Sequence, residues 1–452
     1  GNTQRGEDVL LIIQSQWRKV KARKRKGSES KAESKHHRRA RKNMAKQIGT
    51  GRAGGEDRLI THYTHHHRRC RSLISRAVLV VLCFALAANQ YQSGSGTVVV
   101  AAAAASTTTP PVQVTRWLGK LSRYVQFRGG KTPLTCQGMM EEGGPPSEST
   151  LITWEKQYSP SAWSVRFPTP AEVIDYHVKF VKSESDKNRE QLETLLDVPY
   201  GSGDRDKVDI YGENLPPDAP LFVYVHGGYW QMLEKETSAY PAKPLVDRGV
   251  RVMIVGYELC PEVTLEELVR QMKAAGEFVL NYATENGVRH ISIAGHSAGA
   301  HLIASMLDRP FMDAVGEELA LLKDVYLISG VYNVQELRYT KSVNKDNLLG
   351  INDANAKSLS PLYASYEHLR PIVEQQQGGA LRFHVYVAEH DSDVFREMAV
   401  KMSELLRSYG MRCDLSVLPG LDHFDIVEKL ASADHTITAA ILAGVAATGE
   451  KS

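Results

Sequence analysis

Five residues, Gly295-His296-Ser297-Ala298-Gly299, constrain the fold of this chain more than any other stretch. They follow an apolar run, residues 291–294, that predicts a short buried strand, and they precede residues 300–307, which predict a helix. A Gly-x-Ser-x-Gly sequence between a strand and a helix is typical of a nucleophile elbow, a tight turn that lifts a serine hydroxyl out of a sheet. Glycines flank such a serine because the turn leaves no room for side chains. The alternative is a glycine-rich turn with an idle serine.

Strands and helices alternate on both sides of this turn. Apolar runs predict further strands at residues 221–225, 251–255, 325–328, 383–387 and 414–418, and helical spacing predicts helices at 264–284, 393–409 and 434–447. This alternation favours an α/β fold with a mostly parallel sheet flanked by helices on both faces. The polar segment 335–377 interrupts the alternation and predicts cap or pocket-rim structure.

The first 138 residues do not share this pattern. Residues 1–76 carry 21 Lys and Arg but only 6 Asp and Glu, whereas the whole chain has a net charge of +3, so a basic tail precedes an acidic body. Basic runs at 23–26 and 38–42 have no periodic apolar face. A nuclear-import or nucleic-acid patch is one interpretation of them. We favour a solvated, disordered tail, and we expect no nucleic-acid partner.

A short apolar run, residues 77–88, leaves the location of the protein open. Its 12 residues are few for a membrane span, which needs about 20, but they fit the core of a signal peptide with Ala85-Leu86-Ala87 as the cleavage site. The preceding stretch is far too long for an ordinary signal peptide. We therefore predict a basic, low-complexity extension at 1–138 and a catalytic domain at 139–452. A cytoplasmic location is expected, and a membrane-anchored or secreted protein is the alternative.

The cysteines and histidines indicate neither a disulfide framework nor a metal site. Five cysteines are few, scattered and odd in number, which favours a reducing compartment. No Cys/His cluster has the spacing of a structural zinc site.

A second glycine motif, His226-Gly227-Gly228-Tyr229-Trp230, directly follows the strand 221–225. In hydrolases with a nucleophile elbow, such a loop and the residue after the serine, here Ala298, donate backbone N–H groups to an oxyanion. Glycine lets the backbone approach that oxyanion to about 3 Å. We predict that His226 holds this loop and is not the catalytic base.

The acid and the base of a serine hydrolase with this elbow follow the serine in that order. Asp391 lies soon after the strand 383–387 and is the predicted acid, whereas Asp393 is predicted to be the N-cap of the next helix. His423 follows the last strand and is the predicted base. Asp391 would then set the tautomer of His423, which takes the proton of Ser297. The alternatives are a capping aspartate and a loop histidine.

Residues 154–452, about two thirds of the chain, resemble the kynurenine formamidase (arylformamidase) family of the α/β-hydrolase fold. The motifs that carry the resemblance are EKQYSPSAW at 155–163, DVPYG at 197–201, KVDIY at 207–211, HGGYW at 226–230, GHSAG at 295–299 and DHF at 422–424. The resemblance implies a catalytic triad of Ser297, Asp391 and His423. It also implies a cytosolic, often dimeric enzyme without a metal or organic cofactor.

The activity that the resemblance implies is hydrolysis of N-formyl-L-kynurenine to L-kynurenine and formate in tryptophan catabolism. A carboxylesterase or lipase-like hydrolase of the same fold is the alternative. A non-enzymatic relative is a third interpretation, against which an intact Ser, Asp and His argue. Tyr229 and Trp230 could line an aromatic pocket or belong to the core.

Overall fold

The structure is a computed structural model that describes residues 146–375 and 381–449. The predicted extension at 1–138, with its apolar run at 77–88, lies outside the described residues. The chain division at residue 138 therefore stays a prediction.

Eight strands of the described chain form one sheet in the order β1-β2-β4-β3-β5-β6-β7-β8. Their bounds are β1 Thr194–Pro199, β2 Lys207–Tyr211, β3 Leu221–Val225, β4 Arg251–Val255, β5 Ile291–His296, β6 Leu322–Ile328, β7 Arg382–Ala388 and β8 Arg412–Leu418. β2 is antiparallel to both of its neighbours, and the pairs from β4 to β8 are parallel. The predicted mostly parallel sheet is confirmed.

Helices cover both faces of this sheet. They are α1 Glu148–Gln157, α2 Pro170–Gln191, α3 Ala242–Val246, α4 Leu265–Asn286, α5 Ala298–Met306, α6 Arg309–Val315, α7 Lys341–Asn344, α8 Arg370–Gln375, α9 Asp393–Ser408, α10 Asp425–Glu428 and α11 Thr436–Gly449. Leu221, Val223 and Val225 of β3 pack into one apolar cluster with α4, α5 and α9. Phe222 and Tyr224 of the same strand pack into a second cluster with α3 and α11. The two-residue period of a strand buried on both faces explains this division.

The elements that the sequence analysis missed include the strands β1 and β2 and the 22-residue helix α2. All six β1 residues are exposed or half-buried, so this edge strand has no continuous apolar run. The buried face of α2 includes polar His177, Ser185 and Asn188, which obscures its apolar periodicity. Thr169 caps α2 through Glu172 N–H and Pro170 begins it, so a helix-start signal was present.

The described part of the segment 335–377, residues 335–375, forms short helices and turns, and it packs near the loop after β3. Gln231 Nε2 donates to Val343 O at 2.7 Å, and Tyr158 Oη donates to Glu336 Oε2 at 3.0 Å. No single helix of the described residues is long and apolar enough to cross a membrane, although the bent pair 425–431 and 436–447 meets that test by length and composition.

Candidate active site

The register of the parallel strands brings the predicted site residues to one edge of the sheet, the edge formed by the carboxyl ends of the strands. Val225 pairs with Gly295, His296 pairs with Ile328, and Ala388 pairs with Leu418. These residues lie at the carboxyl ends of their strands, so the loops that follow are neighbours in space. The loops at 226–230, 297–299, 329–331, 389–392 and 419–424 therefore form one cluster.

Ser297 lies between β5 and α5 at a turn with φ 53° and ψ −113°. A non-glycine residue with positive φ is strained, and such strain is common at functional sites. The two flanking glycines are required by space. A Cβ atom on Gly295 would lie 2.5 Å from the carbonyl carbon of Gly299, and a Cβ atom on Gly299 would lie 2.2 Å from Val225 O. The turn therefore admits no side chain at either position.

The glycine loop after β3 lies directly beside Ser297. A Cβ atom on Gly227 would lie 3.2 Å from the Ser297 Cβ atom. Gly228, Tyr229 and Trp230 have φ values of 101°, 48° and 60°, so three successive residues are left-handed. The main-chain hydrogen bonds of the described residues leave the N–H groups of Gly228 and Tyr229 without an acceptor. Successive free N–H groups at a turn of this kind form a concave anion site.

His423 and Asp391 form a buried pair at the same edge. His423 Nδ1 donates to Asp391 Oδ1 at 2.6 Å, and both side chains are at most 4% exposed. This bond leaves Nε2 as the nitrogen that can accept a proton. Among the described residues no hydrogen bond joins Ser297 Oγ to the His423 ring. Such bonds are often long without a bound substrate.

Three further side chains fix this pair, and the sequence analysis assigned this role to none of them. Ser329 Oγ donates to Asp391 Oδ2 at 2.6 Å, His296 Nε2 donates to His423 O at 2.9 Å, and the Phe395 ring meets the His423 ring edge-on at 4.9 Å. Burial holds the pKa of His296 well below its ordinary value, so His296 is neutral. The available signals were the position of His296 inside the elbow motif and that of Ser329 just after β6.

Asp393 does not have the capping role that the sequence predicted. Ser392 is the N-cap of α9, because its hydroxyl accepts the N–H of Phe395. Asp393 is the first helical residue, and its exposed carboxylate pairs with Arg396. The prediction failed because a serine one residue earlier offers the same acceptor.

His226 contacts the backbone of its own loop. Its Nδ1 donates to Gly227 O at 2.9 Å, and its ring stacks on Tyr257 at 4.2 Å. Burial lowers the pKa of His226 to about 4, more than the bond to Gly227 raises it. A neutral, buried imidazole with these contacts fits the predicted loop-holding role.

Tyr229 and Trp230 face protein atoms. Trp230 is fully buried and meets the His301 ring edge-on at 4.9 Å, which favours the core alternative for this residue. Tyr229 is 5% exposed, and its hydroxyl donates to Tyr158 O at 2.8 Å. These two side chains therefore do not form an open aromatic pocket.

The motif at 155–158 joins the parts of the site. Glu155 accepts the N–H groups of Lys341 and Ser342, both at 2.7 Å, and Gln157 Oε1 accepts the N–H of Val394 at 3.2 Å. The end of α1 thus contacts the oxyanion loop, the segment after β6 and the helix after the acid. No group of three or more His, Cys, Asp or Glu side chains in the described chain is placed to hold a metal ion.

Comparisons with known proteins identify the fold and the family of this chain. A family model described as an alpha/beta hydrolase fold matches residues 222–425. The chain is 35% identical to the kynurenine formamidase of Drosophila melanogaster over 290 residues, which are 63% of this chain and 94% of that protein. It is 32% identical to that of Danio rerio over 292 residues, 64% of this chain and 94% of that protein. For the kynurenine formamidase of Salmo salar the identity is 34% over 290 residues, again 64% and 94%. The chain has the α/β-hydrolase fold and belongs to the kynurenine formamidase family.

Proposed function

We propose that this protein hydrolyses N-formyl-L-kynurenine to L-kynurenine and formate, with Ser297 as the nucleophile. The observation that carries the proposal is the 2.6 Å bond between His423 Nδ1 and Asp391 Oδ1 at the edge where the Ser297 turn lies, in a chain of the formamidase family. A histidine held by a buried carboxylate beside a strained serine is the arrangement that activates a serine hydroxyl.

The first step forms a formyl-enzyme. Ser297 Oγ attacks the formyl carbon, and His423 Nε2 takes the serine proton. The N–H groups of Gly228, Tyr229 and Ala298 stabilise the oxyanion that develops on the formyl oxygen. The C–N bond then breaks, and His423 returns the proton to the aryl nitrogen, so L-kynurenine leaves as a neutral amine. Because the nitrogen lone pair is delocalised into the ring, this amine leaves more readily than an alkylamine.

The second step releases formate. Water attacks the formyl ester of Ser297, and His423 takes a proton from that water. The ester C–O bond breaks, the proton returns to Ser297 Oγ, and formic acid leaves and ionises. Asp391 balances the charge of the imidazolium in both steps.

The proposal extends to assembly and location. The resemblance implies a homodimer in the cytoplasm with a small-molecule substrate. We expect no nucleic-acid partner, because the basic runs of the extension are interpreted as a solvated tail. Size-exclusion chromatography with light scattering tests the dimer, and fluorescence microscopy of the tagged full chain tests the location.

The test of the activity is a comparison of kcat/KM for N-formylkynurenine, N-acetylkynurenine and a medium-chain ester, with formate release measured in a coupled assay. One extra methyl group changes pocket fit by about 10–200-fold, so the formyl compound should be preferred over the acetyl compound by a factor of this order. Ser297→Ala should lower kcat by about 10³-fold or more. A medium-chain ester that exceeds formylkynurenine would establish the general esterase instead.

A further inference from the structure

Arg166, in the segment that precedes α2, binds two buried carboxylates next to the candidate base. Its Nε and Nη2 atoms donate to Asp422 Oδ2 and Oδ1 at 2.7 and 3.1 Å. Its Nη1 and Nη2 atoms donate to Glu428 Oε2 and Oε1 at 2.8 and 3.3 Å. The Arg166 side chain is 22% exposed, whereas those of Asp422 and Glu428 are 0% and 4% exposed. Both pairs have the two-pronged geometry that arginine provides and lysine does not.

Asp422 directly precedes His423, and its carboxylate shapes the turn that carries the imidazole. Its Oδ1 accepts the N–H groups of Phe424 and Asp425, both at 2.9 Å. Its Oδ2 accepts the hydroxyl of Ser164 at 2.5 Å. Burial alone would raise the pKa of Asp422, but the hydrogen bonds from Arg166 and Ser164 lower it to about 2. The carboxylate is therefore ionised at neutral pH and depends on its donors.

We propose that Arg166 is a positioning residue of the active site, which holds Asp422 and thereby fixes the turn of His423. His423 is already held at its carbonyl by His296 and at Nδ1 by Asp391. Arg166 adds a third constraint, because it holds Asp422, the residue directly before His423. A displacement of about 1 Å at a reacting group can cost about 10²-fold in rate. The inference rests on the proposed serine mechanism.

Arg166 also sets the charge beside His423. Five acidic groups lie around this turn: Glu389, which accepts the N–H of Gly420 at 2.7 Å, and Asp391, Asp422, Asp425 and Glu428. The cations that pair with the last three are Arg166 and Lys429. His177 bonds Glu428, and the neutral His296 bonds the His423 carbonyl. Loss of the Arg166 charge leaves excess negative charge, which favours the protonated imidazole. The acid limb of the kcat/KM profile should then move to higher pH.

The experiment compares Arg166→Met and Arg166→Lys with the wild-type full chain. Arg166→Met should lower kcat by about 10–100-fold with KM changed by less than about twofold, and it should shift the acid limb to higher pH. Arg166→Lys should also lower kcat but leave the acid limb in place, because lysine keeps the charge and loses the fork. If the role of Arg166 were purely structural, the two variants would not differ in the position of the acid limb while both lose kcat.

The matched control is Arg382, which binds the fully buried Asp324 through Nε at 3.0 Å and Nη2 at 3.3 Å. Arg382 is the first residue of β7, so this pair lies at the amino end of the strand, whereas the candidate site lies at the carboxyl ends. Arg382→Met should lower the melting temperature and leave kcat and the pH profile of the folded enzyme unchanged. A loss of kcat as large as that of Arg166→Met would overturn the inference, since any broken arginine–aspartate pair would then suffice.

A second readout keeps this test independent of the substrate. An aryl phosphonate ester labels an activated serine, so its rate of reaction with Ser297 reports on His423 without formylkynurenine. If the wild type reacts with the phosphonate but releases no formate, the proposed function fails and the variants are compared by labelling rate. Folded Arg166→Met with wild-type rates and pH profile would overturn the inference. If Arg166→Met does not fold, wild-type kcat in Arg166→Lys would do the same.

Discussion

The hydroxyl of Tyr229 donates a 2.8 Å hydrogen bond to the carbonyl oxygen of Tyr158, across 71 positions of the chain. Tyr229 lies in the oxyanion loop with φ 48°, and Tyr158 is the C-cap of α1. A left-handed non-glycine residue costs about 1–3 kcal/mol and persists only where its surroundings hold it. This bond therefore connects the first described helix to the backbone that must face the oxyanion.

Tyr229→Phe should lower kcat about fivefold, because a lost hydrogen bond of about 1 kcal/mol loosens the N–H groups of the loop. Tyr366→Phe is the matched control. Tyr366 Oη makes a similar buried bond to Ala304 O at 3.1 Å, outside the oxyanion loop. Steady-state kinetics and thermal unfolding of both variants provide the measurement. Equal kcat in the two variants would show that the bond serves stability alone.

Asp391→Asn should cost about 10⁴-fold in kcat, because an amide in place of the acceptor favours the wrong tautomer of His423. Asp393→Asn should leave kcat unchanged and cost less than about 1 kcal/mol of unfolding free energy, since its pair with Arg396 is on the surface. The measurement is kcat of both variants at one pH, with chemical denaturation as the control for folding. The opposite ranking would assign the acid to Asp393.

The free energy of unfolding should fall as the pH drops from about 6.5 to about 4. Burial lowers the pKa of His226, His290 and His301 to about 4 from the ordinary value of 6.5. The unfolded chain binds protons in this window and the folded chain does not, so the stabilisation is complete above pH 6.5 and is lost as the pH falls through the window. Each histidine contributes up to about 3 kcal/mol.

Replacement of one such histidine tests this window. His301→Gln keeps a donor for Leu359 O, which His301 Nε2 contacts at 2.8 Å, and removes the titrating group. Urea denaturation at several pH values should give a shallower dependence for the variant than for the wild type. An unaltered slope would contradict the role of His301.

A truncated chain that begins at Met139 should fold and keep the activity of the full chain. The described residues from 146 onward already supply the sheet, the helices on both of its faces and all candidate site residues. The two chains are compared by kcat/KM and melting temperature after parallel expression. An insoluble or inactive truncated chain beside a soluble full chain would show that the residues before Met139 are needed.

Much of the site could be predicted from the sequence because its signals are local. The elbow needs a strand, a serine between two glycines and a helix, and these lie within residues 291–306. The central strands β3 and β4 were predicted with their observed bounds, since strands buried on both faces are continuous apolar runs. The order of Ser297, Asp391 and His423 along the chain identified them as candidates.

Tertiary structure alone decided which side chains surround these residues. Ser329 bonds Asp391 across 62 positions, His296 bonds the His423 carbonyl across 127, and Arg166 bonds Asp422 across 256. A contact of this length depends on strand order and register, which no local pattern encodes. The helix α2 and the strands β1 and β2 were missed for a related reason. The buried His177 of α2 bonds Glu428 across 251 positions, and the buried Asp209 of β2 pairs with Lys235. The strand β1 is exposed at the edge of the sheet, so none of these elements shows a clear apolar periodicity of its own.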